Sequence, residues 1–215
     1  LMDETLLRLS AMAGKERWAD KTPQNFMHLK FIRHAFPEAI ILFLFRHPFQ
    51  ILASYKYAKG GGHNTSRYHP MVYALYWRNA VRKYLQAAKA DDAVVMIQYE
   101  EMLIDIDKTI NKLSIALGTS IKKPDIGSMG SNTSFQGSGR KSITPTEKWI
   151  CRLITQKEMG AIGYAWDSEK PRLVDVPELI VQTARFLFFQ VSRIVTSKNS
   201  RQRIFSMIRQ TIFKR

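Results

Sequence analysis

Six consecutive apolar residues, Ile40–Phe45 (IILFLF), constrain the fold of this chain more than any other feature. The run is short and contains no Gly or Pro. It therefore predicts a strand covered on both faces, as in a parallel sheet. Arg46 and His47 follow the run, and Pro48, which is favoured at the first helical position, predicts that a helix begins there.

A second strand is predicted at Val94–Gln98, and the long helix Pro70–Lys89 lies between the two strands. Strand–helix–strand alternation favours an α/β fold with a mostly parallel sheet flanked by helices. Apolar periodicity and the Gly and Pro signals predict further helices at residues 4–13, Gln24–Phe36, Tyr99–Leu103 and Ile106–Leu117. The capping box Thr144-Pro145-Thr146-Glu147 predicts the start of one more helix, which should run to about Glu158.

The composition excludes several classes of protein. An apolar fraction of 45% in 215 residues is typical of a folded domain with a core, not of a disordered chain. Cys151, the only cysteine, allows no internal disulfide and no thiolate metal site, and it favours a reducing, cytoplasmic location. The histidines show no metal-ligand spacing. A net charge of +15 predicts an anionic partner, such as a nucleotide, a nucleic acid, an acidic polysaccharide or a membrane surface.

Basic charge is concentrated at the end of the chain. Residues 170–215 hold ten Lys or Arg and two acidic residues, a net charge of +8. We therefore predict a domain over residues 1–168 and a basic, amphipathic helical tail over residues 169–215. The first tail helix has an apolar face: Ile180, Ala184, Leu187, Phe188, Val191 and Ile194. This face either packs on the domain or a partner, or lies peripherally in an anionic membrane surface. A second short helix is predicted at residues 204–212.

Arg46 is placed where an α/β fold binds anions. Ligands of open α/β sheets bind beyond the carboxyl ends of the strands, and a helix that starts there offers free N–H groups and a positive dipole end. The Arg46 guanidinium can hold a phosphate through two parallel hydrogen bonds, and Ser54, two helical turns further on, can add a hydroxyl. Alternatively, Arg46 caps the sheet edge and pairs with an acid.

Three other segments carry residues suited to an anion. Lys21, before the Gln24–Phe36 helix, can meet an anion as a point charge, or it can be a solvated loop lysine. Tyr99, after the second strand, can present its hydroxyl to a base or simply pack. The segment Gly139-Arg140-Lys141 combines backbone N–H groups with two cations and suits a phosphate, or it forms a solvated turn.

In order and spacing these motifs resemble the sulfotransferases that use 3′-phosphoadenosine-5′-phosphosulfate (PAPS). The matching segments are WADKTPQNF, FPEAIILFLFRHPFQILAS, IQYEEML and GSGRKSI, and the resemblance covers Glu16–Tyr164. The similarity is greatest to bacterial and Golgi-type members with a K-T-P motif. Pro23 stands where the cytosolic steroid and phenol type has a histidine base.

The resemblance implies a P-loop-nucleotide-kinase-like parallel sheet that is incomplete at its N-terminus. The family's Gly-rich phosphosulfate loop and its upstream acidic base are not found in residues 1–215. Both are expected before Leu1, because residues 4–13 have the pattern of the end of a helix rather than of a whole one. We therefore expect the 215 residues by themselves to bind PAP weakly and to have little activity.

The resemblance also implies individual roles. Arg46 and Ser54 would bind the 3′-phosphate of PAPS, and Tyr99 would contact the adenine. The residues that would close over the same phosphate are Gly139, Arg140 and Lys141. Lys21 would stabilise charge on the oxygen that bridges sulfur and phosphorus, and Asp20 is a candidate base. The implied reaction transfers a sulfuryl group from PAPS, without a metal, to a hydroxyl or amine of a glycan, lipid or small molecule.

Two other classes of protein fit part of the pattern. A nucleotide kinase has a related layout but needs its own phosphate loop and magnesium ligands. A truncated or degenerate sulfotransferase-like domain could bind a partner through its basic tail without catalysis. Specific nucleic-acid binding is not expected.

Overall fold

The computed structural model describes residues 2–57, 67–123 and 142–196. The chain divides into two compact units, residues 1–39 and residues 40–215. Among the described residues, no helix combines the length and apolar character needed to cross a membrane.

The N-terminal unit contains two short helices. Helix α1, Met2–Met12, ends as predicted near Gly14, whose positive φ of 65° suits glycine. The predicted helix Gln24–Phe36 is wrong as one continuous element. A 3₁₀ turn, Asn25–Met27, is followed by a break at His28 and then by helix α2, Leu29–Ala35.

The break in this helix has a local cause. The Asn25 side chain donates to the Asp20 carboxylate at 2.6 Å, and the Asn25 backbone N–H donates to the carbonyl of Thr22. Asn and Asp side chains that bond nearby polar groups compete with regular helix formation. The first turn is therefore tied to the preceding loop instead of continuing into α2.

The second unit is built on two parallel strands. Strand β1 is Ile41–Phe45 and strand β2 is Val94–Gln98. Their register pairs Ile41 with Val94 and Phe45 with Gln98, so both strands end at the same edge. Among the described residues of this unit, the α-helices are α3 (Pro48–Tyr57), α4 (Pro70–Ala88), α5 (Tyr99–Ile104), α6 (Ile106–Leu117), α7 (Pro145–Ala161) and α8 (Val176–Thr196).

Strand β1 is covered on one face. Phe43 and Phe45 are buried and contact Tyr84 and Trp77 of α4 with ring centroids 5.4–6.3 Å apart. Leu42 and Leu44 point to the other face and are 45% and 60% exposed. Within the described ranges, the expectation of a strand covered on both faces is therefore wrong, because α4 packs on the aromatic face and successive side chains of a strand alternate.

Helix α7 starts at the predicted capping box. The Thr144 hydroxyl accepts from the Glu147 N–H at 3.2 Å, and the Glu147 carboxylate accepts from the Thr144 N–H at 2.7 Å. The helix runs to Ala161, slightly further than predicted. Its buried face packs along α4, and Arg82 of α4 pairs with Glu158 of α7 at 2.6 Å.

Helix α8 lies within the predicted tail, but the two faces of this helix are not oriented as expected for an amphipathic helix that packs on its domain. Its more polar face contacts the unit, while the predicted apolar face is exposed. The alternative in which this face packs on the domain is therefore wrong for the described residues. The second tail helix, predicted at residues 204–212, lies outside them.

Candidate functional site

Arg46 and Tyr99 meet where the two strands end. Arg46 follows β1 and Tyr99 follows β2, and the guanidinium carbon of Arg46 lies 5.0 Å from the centre of the Tyr99 ring. The Arg46 carbonyl accepts a hydrogen bond from the Trp77 indole at 3.0 Å. Stacking on an aromatic face orients a guanidinium. The structure thus brings together two of the predicted nucleotide-binding residues.

Glu100 joins the ends of the two strands. One oxygen of its carboxylate accepts from the backbone N–H of His47 at 2.9 Å, and the other accepts from the Tyr164 hydroxyl at 2.7 Å. Burial, followed by the hydrogen bond and charge of Glu100, raises the pKa of Tyr164 far above its ordinary value, although Arg46 opposes this shift. Tyr164 is therefore a neutral donor at physiological pH, and Glu100 fixes the turn that carries Arg46.

The ring of His47 is held on both nitrogens. The Phe49 N–H donates to Nδ1 at 3.3 Å, and Nε2 lies 3.0 Å from the carbonyl oxygen of Ala165. A carbonyl can only accept, so these contacts fit a neutral ring with the proton on Nε2. His47 thus links the start of α3 to the segment that follows α7.

The start of α3 differs from the expectation of free N–H groups. The His47 N–H donates to Glu100, the Phe49 N–H to the His47 ring, and the Gln50 N–H to the His47 carbonyl. Pro48 has no N–H to offer. An anion at this edge would therefore be held by the Arg46 guanidinium and the helix dipole, not by backbone donors of the first turn.

Ser54 lies on α3 and is half-buried. Tyr57, one turn further on, donates through its hydroxyl to the carbonyl of Ser142 at 3.2 Å. Ser142 follows Lys141 in the sequence, so the end of α3 lies beside the chain that leaves the predicted basic loop. The loop residues Gly139, Arg140 and Lys141 lie outside the described residues.

Lys21 and Asp20 belong to the N-terminal unit. The Lys21 side chain is exposed. The Asp20 carboxylate accepts from the Thr22 hydroxyl at 2.9 Å and from the Asn25 amide at 2.6 Å. Asp20 therefore orders the turn that contains Lys21, and each carboxylate oxygen retains a further lone pair.

A buried polar cluster lies elsewhere in the second unit. The Lys56 ammonium pairs with Glu147 at 2.8 Å and Glu178 at 2.7 Å, and the Tyr68 hydroxyl donates to Glu147 at 3.1 Å. Burial lowers the pKa of Lys56, but the hydrogen bonds to the two glutamates outweigh this effect and raise it overall. Burial and the charge of Glu147 raise the pKa of Tyr68 strongly. This cluster connects α3, α7 and α8.

Sequence reasoning did not identify Glu100 and Tyr164 as parts of the site. The position of Glu100 in the first turn after β2 was a usable signal, because that turn starts at the ligand-binding edge of a parallel sheet. Tyr164 gave no local signal, since its partner is 64 residues away. In the described part of the chain, no three or more His, Cys, Asp or Glu residues are grouped as metal ligands.

A parallel pair of strands flanked by helices, with Arg46 stacked on Tyr99 where both strands end, defines an α/β protein. The family model described as the sulfotransferase family matches residues 3–123, more than half of the 215 residues. The chain therefore belongs to the sulfotransferase family. No curated protein and no solved structure matches it significantly. The family match includes Lys21, Arg46 and Tyr99 and ends before residues 139–141.

Proposed function

We propose that this protein is a PAPS-dependent sulfotransferase, which transfers a sulfuryl group from PAPS to a hydroxyl or amine and releases PAP. The observation that carries the proposal is the contact between Arg46 and Tyr99 at the common end of the two strands. Membership of the family supports sulfuryl transfer in general. The donor, the acceptor and the roles of the residues are parts of the proposal.

The pair of Arg46 and Tyr99 suits the nucleotide half of PAPS. A 3′-phosphate suits a cation that can form two parallel hydrogen bonds, and Tyr99 would contact the adenine. Tyr99 restricts the guanidinium before ligand binding, and Glu100 fixes the adjoining backbone at His47. Such preorganisation lowers the entropy lost on binding. Ser54 would add a hydroxyl to the phosphate.

The proposed chemistry is an in-line displacement at sulfur. A lone pair of the acceptor oxygen or nitrogen forms a bond to sulfur, and the bond between sulfur and the bridging oxygen breaks. The electron pair remains on that oxygen as part of PAP, where Lys21 would stabilise the growing charge. The acceptor proton passes to a base, for which Asp20 is a candidate. As in phosphoryl transfer, positioning and electrostatic stabilisation would supply most of the rate.

Net charge supports the proposed acceptor class. With 33 Lys and Arg against 18 Asp and Glu, the chain suits acceptors that carry negative charge. An acidic glycan or an anionic lipid meets this condition. Both offer hydroxyl groups that can receive a sulfuryl group.

Nucleotide binding by the natural protein tests the proposal. Calorimetric titration should show that PAP binds at least about tenfold more tightly than ATP, since only PAP carries the 3′-phosphate. Arg46→Ala should weaken PAP binding about ten- to a hundredfold, as expected for loss of a charged hydrogen-bond partner. Arg8→Ala is the matched control, because Arg8 pairs with Glu4 on an exposed face of α1.

Three results would contradict the proposal. Equal affinity for PAP and ATP would favour a nucleotide kinase. Lack of binding to either nucleotide would favour a non-enzymatic binding module. An equal loss of PAP affinity in Arg46→Ala and Arg8→Ala would mean that overall charge, rather than the strand-end site, binds the nucleotide.

A further inference from the structure

Helix α8 is attached to its unit through its polar face. The contacts of this face reach α3, α7 and the residue before α4: Glu178 with Lys56 at 2.7 Å, Gln182 with Glu147 at 3.0 Å, and Thr183 with His69 at 3.2 Å. Two aromatic rings of the same face add contacts, Phe186 with His69 and Phe189 with Arg67. The rotation of α8 about its axis is therefore set by several independent contacts.

The opposite face of α8 is apolar and exposed. Ile180, Leu187, Phe188 and Val191 are 62%, 56%, 77% and 57% exposed, and Ala184 lies between them on the same face. We call these five residues the apolar stripe. Single exposed apolar residues are ordinary, but a continuous row marks an interaction surface. An amphipathic helix of a soluble domain normally buries this face, so the orientation of α8 is inverted.

We propose that the apolar stripe inserts into the interfacial region of an anionic lipid bilayer. At 1.5 Å per residue, the stripe extends about 17 Å along α8, with Phe188 and Leu187 near its centre. This arrangement lets the stripe enter the boundary between headgroups and acyl chains with the helix axis parallel to the surface. The contacts of the polar face would remain in place, because they lie on the opposite side of the helix.

Charge complementarity favours lipid over an uncharged apolar partner. Arg185 is exposed at the border of the stripe, and Glu178, the one acidic residue of α8, pairs with Lys56. The sequence that follows, residues 197–215, contains six Lys or Arg and no Asp or Glu. An apolar row bordered by cations is the composition of helices that bind anionic membrane surfaces.

Co-sedimentation of the natural protein with lipid vesicles tests this proposal. The protein should bind vesicles of phosphatidylcholine mixed with phosphatidylglycerol more tightly than pure phosphatidylcholine vesicles, and added salt should weaken the binding. The double variant Leu187→Gln, Phe188→Gln should bind the mixed vesicles at least about tenfold more weakly, since two large apolar side chains no longer leave water.

The chain offers a closely matched control. Ile104 and Ile115 are 86% and 75% exposed and lie on α5 and α6. The double variant Ile104→Gln, Ile115→Gln removes a similar amount of exposed apolar surface away from α8. It should bind vesicles like the unmodified protein, and an equal loss in both double variants would overturn the proposal.

A labelling measurement keeps the test independent of polar substitutions. Val191→Cys, carrying an environment-sensitive fluorophore, reports on the stripe, because the natural Cys151 is fully buried. Mixed vesicles should shift the emission to the blue, as expected for transfer of the fluorophore into an apolar medium. An unchanged emission on bound vesicles would overturn the proposal. The proposal would also be overturned if the protein did not bind vesicles but formed a concentration-dependent dimer, and if the Leu187→Gln, Phe188→Gln variant abolished that dimer.

Discussion

The Glu100 carboxylate accepts a hydrogen bond from the His47 backbone at 2.9 Å, although 53 residues separate the two positions. His47 follows β1 and Glu100 follows β2. The bond therefore fixes the two strand ends to each other at the edge where Arg46 and Tyr99 meet. Because the same carboxylate also binds the Tyr164 hydroxyl, one side chain connects three segments of the second unit.

Glu100→Ala should destabilise the protein and weaken the nucleotide site together. The substitution leaves the partly buried His47 N–H and the buried Tyr164 hydroxyl without their acceptor, and each unsatisfied group costs about 1–3 kcal/mol of stability. We expect the free energy of urea unfolding to fall by about 2–4 kcal/mol and PAP affinity to fall as well. Glu101→Ala, which removes a neighbouring exposed carboxylate, is the control and should change neither. Equal effects of both variants would contradict this role of Glu100.

Elements with local signals were predictable from the sequence. Pro48 and Pro70 start α3 and α4, the Thr144 capping box starts α7, and Gly118, with a φ of 61°, ends α6. Each of these signals acts within one helical turn, so its outcome does not depend on the rest of the fold.

Features that depend on distant partners were not predictable. The faces of α8 are set by Lys56, His69 and Glu147, which lie more than 30 residues away in sequence, so apolar periodicity alone predicted the stripe but not its exposure. The strand β1 has a continuous apolar sequence, yet packing of α4 covers only its phenylalanine face. Arg46 and Tyr99 are predictable as site residues, whereas the Glu100 hydrogen bonds that position them can be seen only in the folded structure.

Lys21→Ala should separate catalysis from nucleotide binding. If Lys21 meets charge that develops on the bridging oxygen, its contribution is larger in the transition state than in the ground state. In the natural protein, PAP affinity should stay nearly unchanged while kcat falls about a hundredfold, by analogy with loss of one oxyanion-stabilising donor. Steady-state kinetics with radiolabelled PAPS and calorimetry with PAP measure the two quantities. Loss of PAP binding with a normal kcat would show that the assigned role is wrong.

His69 should make stability depend on pH. Burial lowers its pKa, with the charge of Glu147 opposing the shift. The Thr183 hydroxyl donates to the Leu179 carbonyl, so it accepts from His69 Nε2, and Nδ1 has no hydrogen-bond partner among the described residues. Protonation at Nδ1 would bury an unsatisfied N–H, which the unfolded chain avoids.

The sign of this effect follows from linkage. The unfolded histidine takes up a proton near pH 6.5 while the folded one remains neutral, so the unfolded state binds more protons and stability falls as the pH is lowered through that value. One such histidine changes the free energy of unfolding by at most about 1.4 kcal/mol per pH unit. The free energy of urea unfolding should differ less between neutral and mildly acidic pH for His69→Gln than for the unmodified protein. His34→Gln, at an exposed position, should retain the full difference; the same flattening in both variants would contradict the prediction.

Glu147 should be the most costly acidic residue to remove from the second unit. Its side chain is 2% exposed, holds Lys56 at 2.8 Å, and accepts the Thr144 N–H of the α7 cap. Glu147→Ala leaves a buried ammonium with one partner, Glu178, in place of two. Breaking a buried ion pair from one side destabilises a protein by about 3–5 kcal/mol, whereas an exposed pair contributes at most about 1 kcal/mol.

Denaturant unfolding of three variants tests this difference. Glu147→Ala should lower the free energy of unfolding by about 3–5 kcal/mol, and Glu4→Ala, which breaks the exposed pair with Arg8, by less than about 1 kcal/mol. The double variant Lys56→Met, Glu147→Leu should be more stable than Glu147→Ala, because it removes both charges and leaves none buried without compensation. A double variant that is less stable than the single one would show that the buried charge of Lys56 does not cause the loss of unfolding free energy. The loss would then come from the polar contacts of Glu147 with Tyr68, Gln182 and the α7 cap.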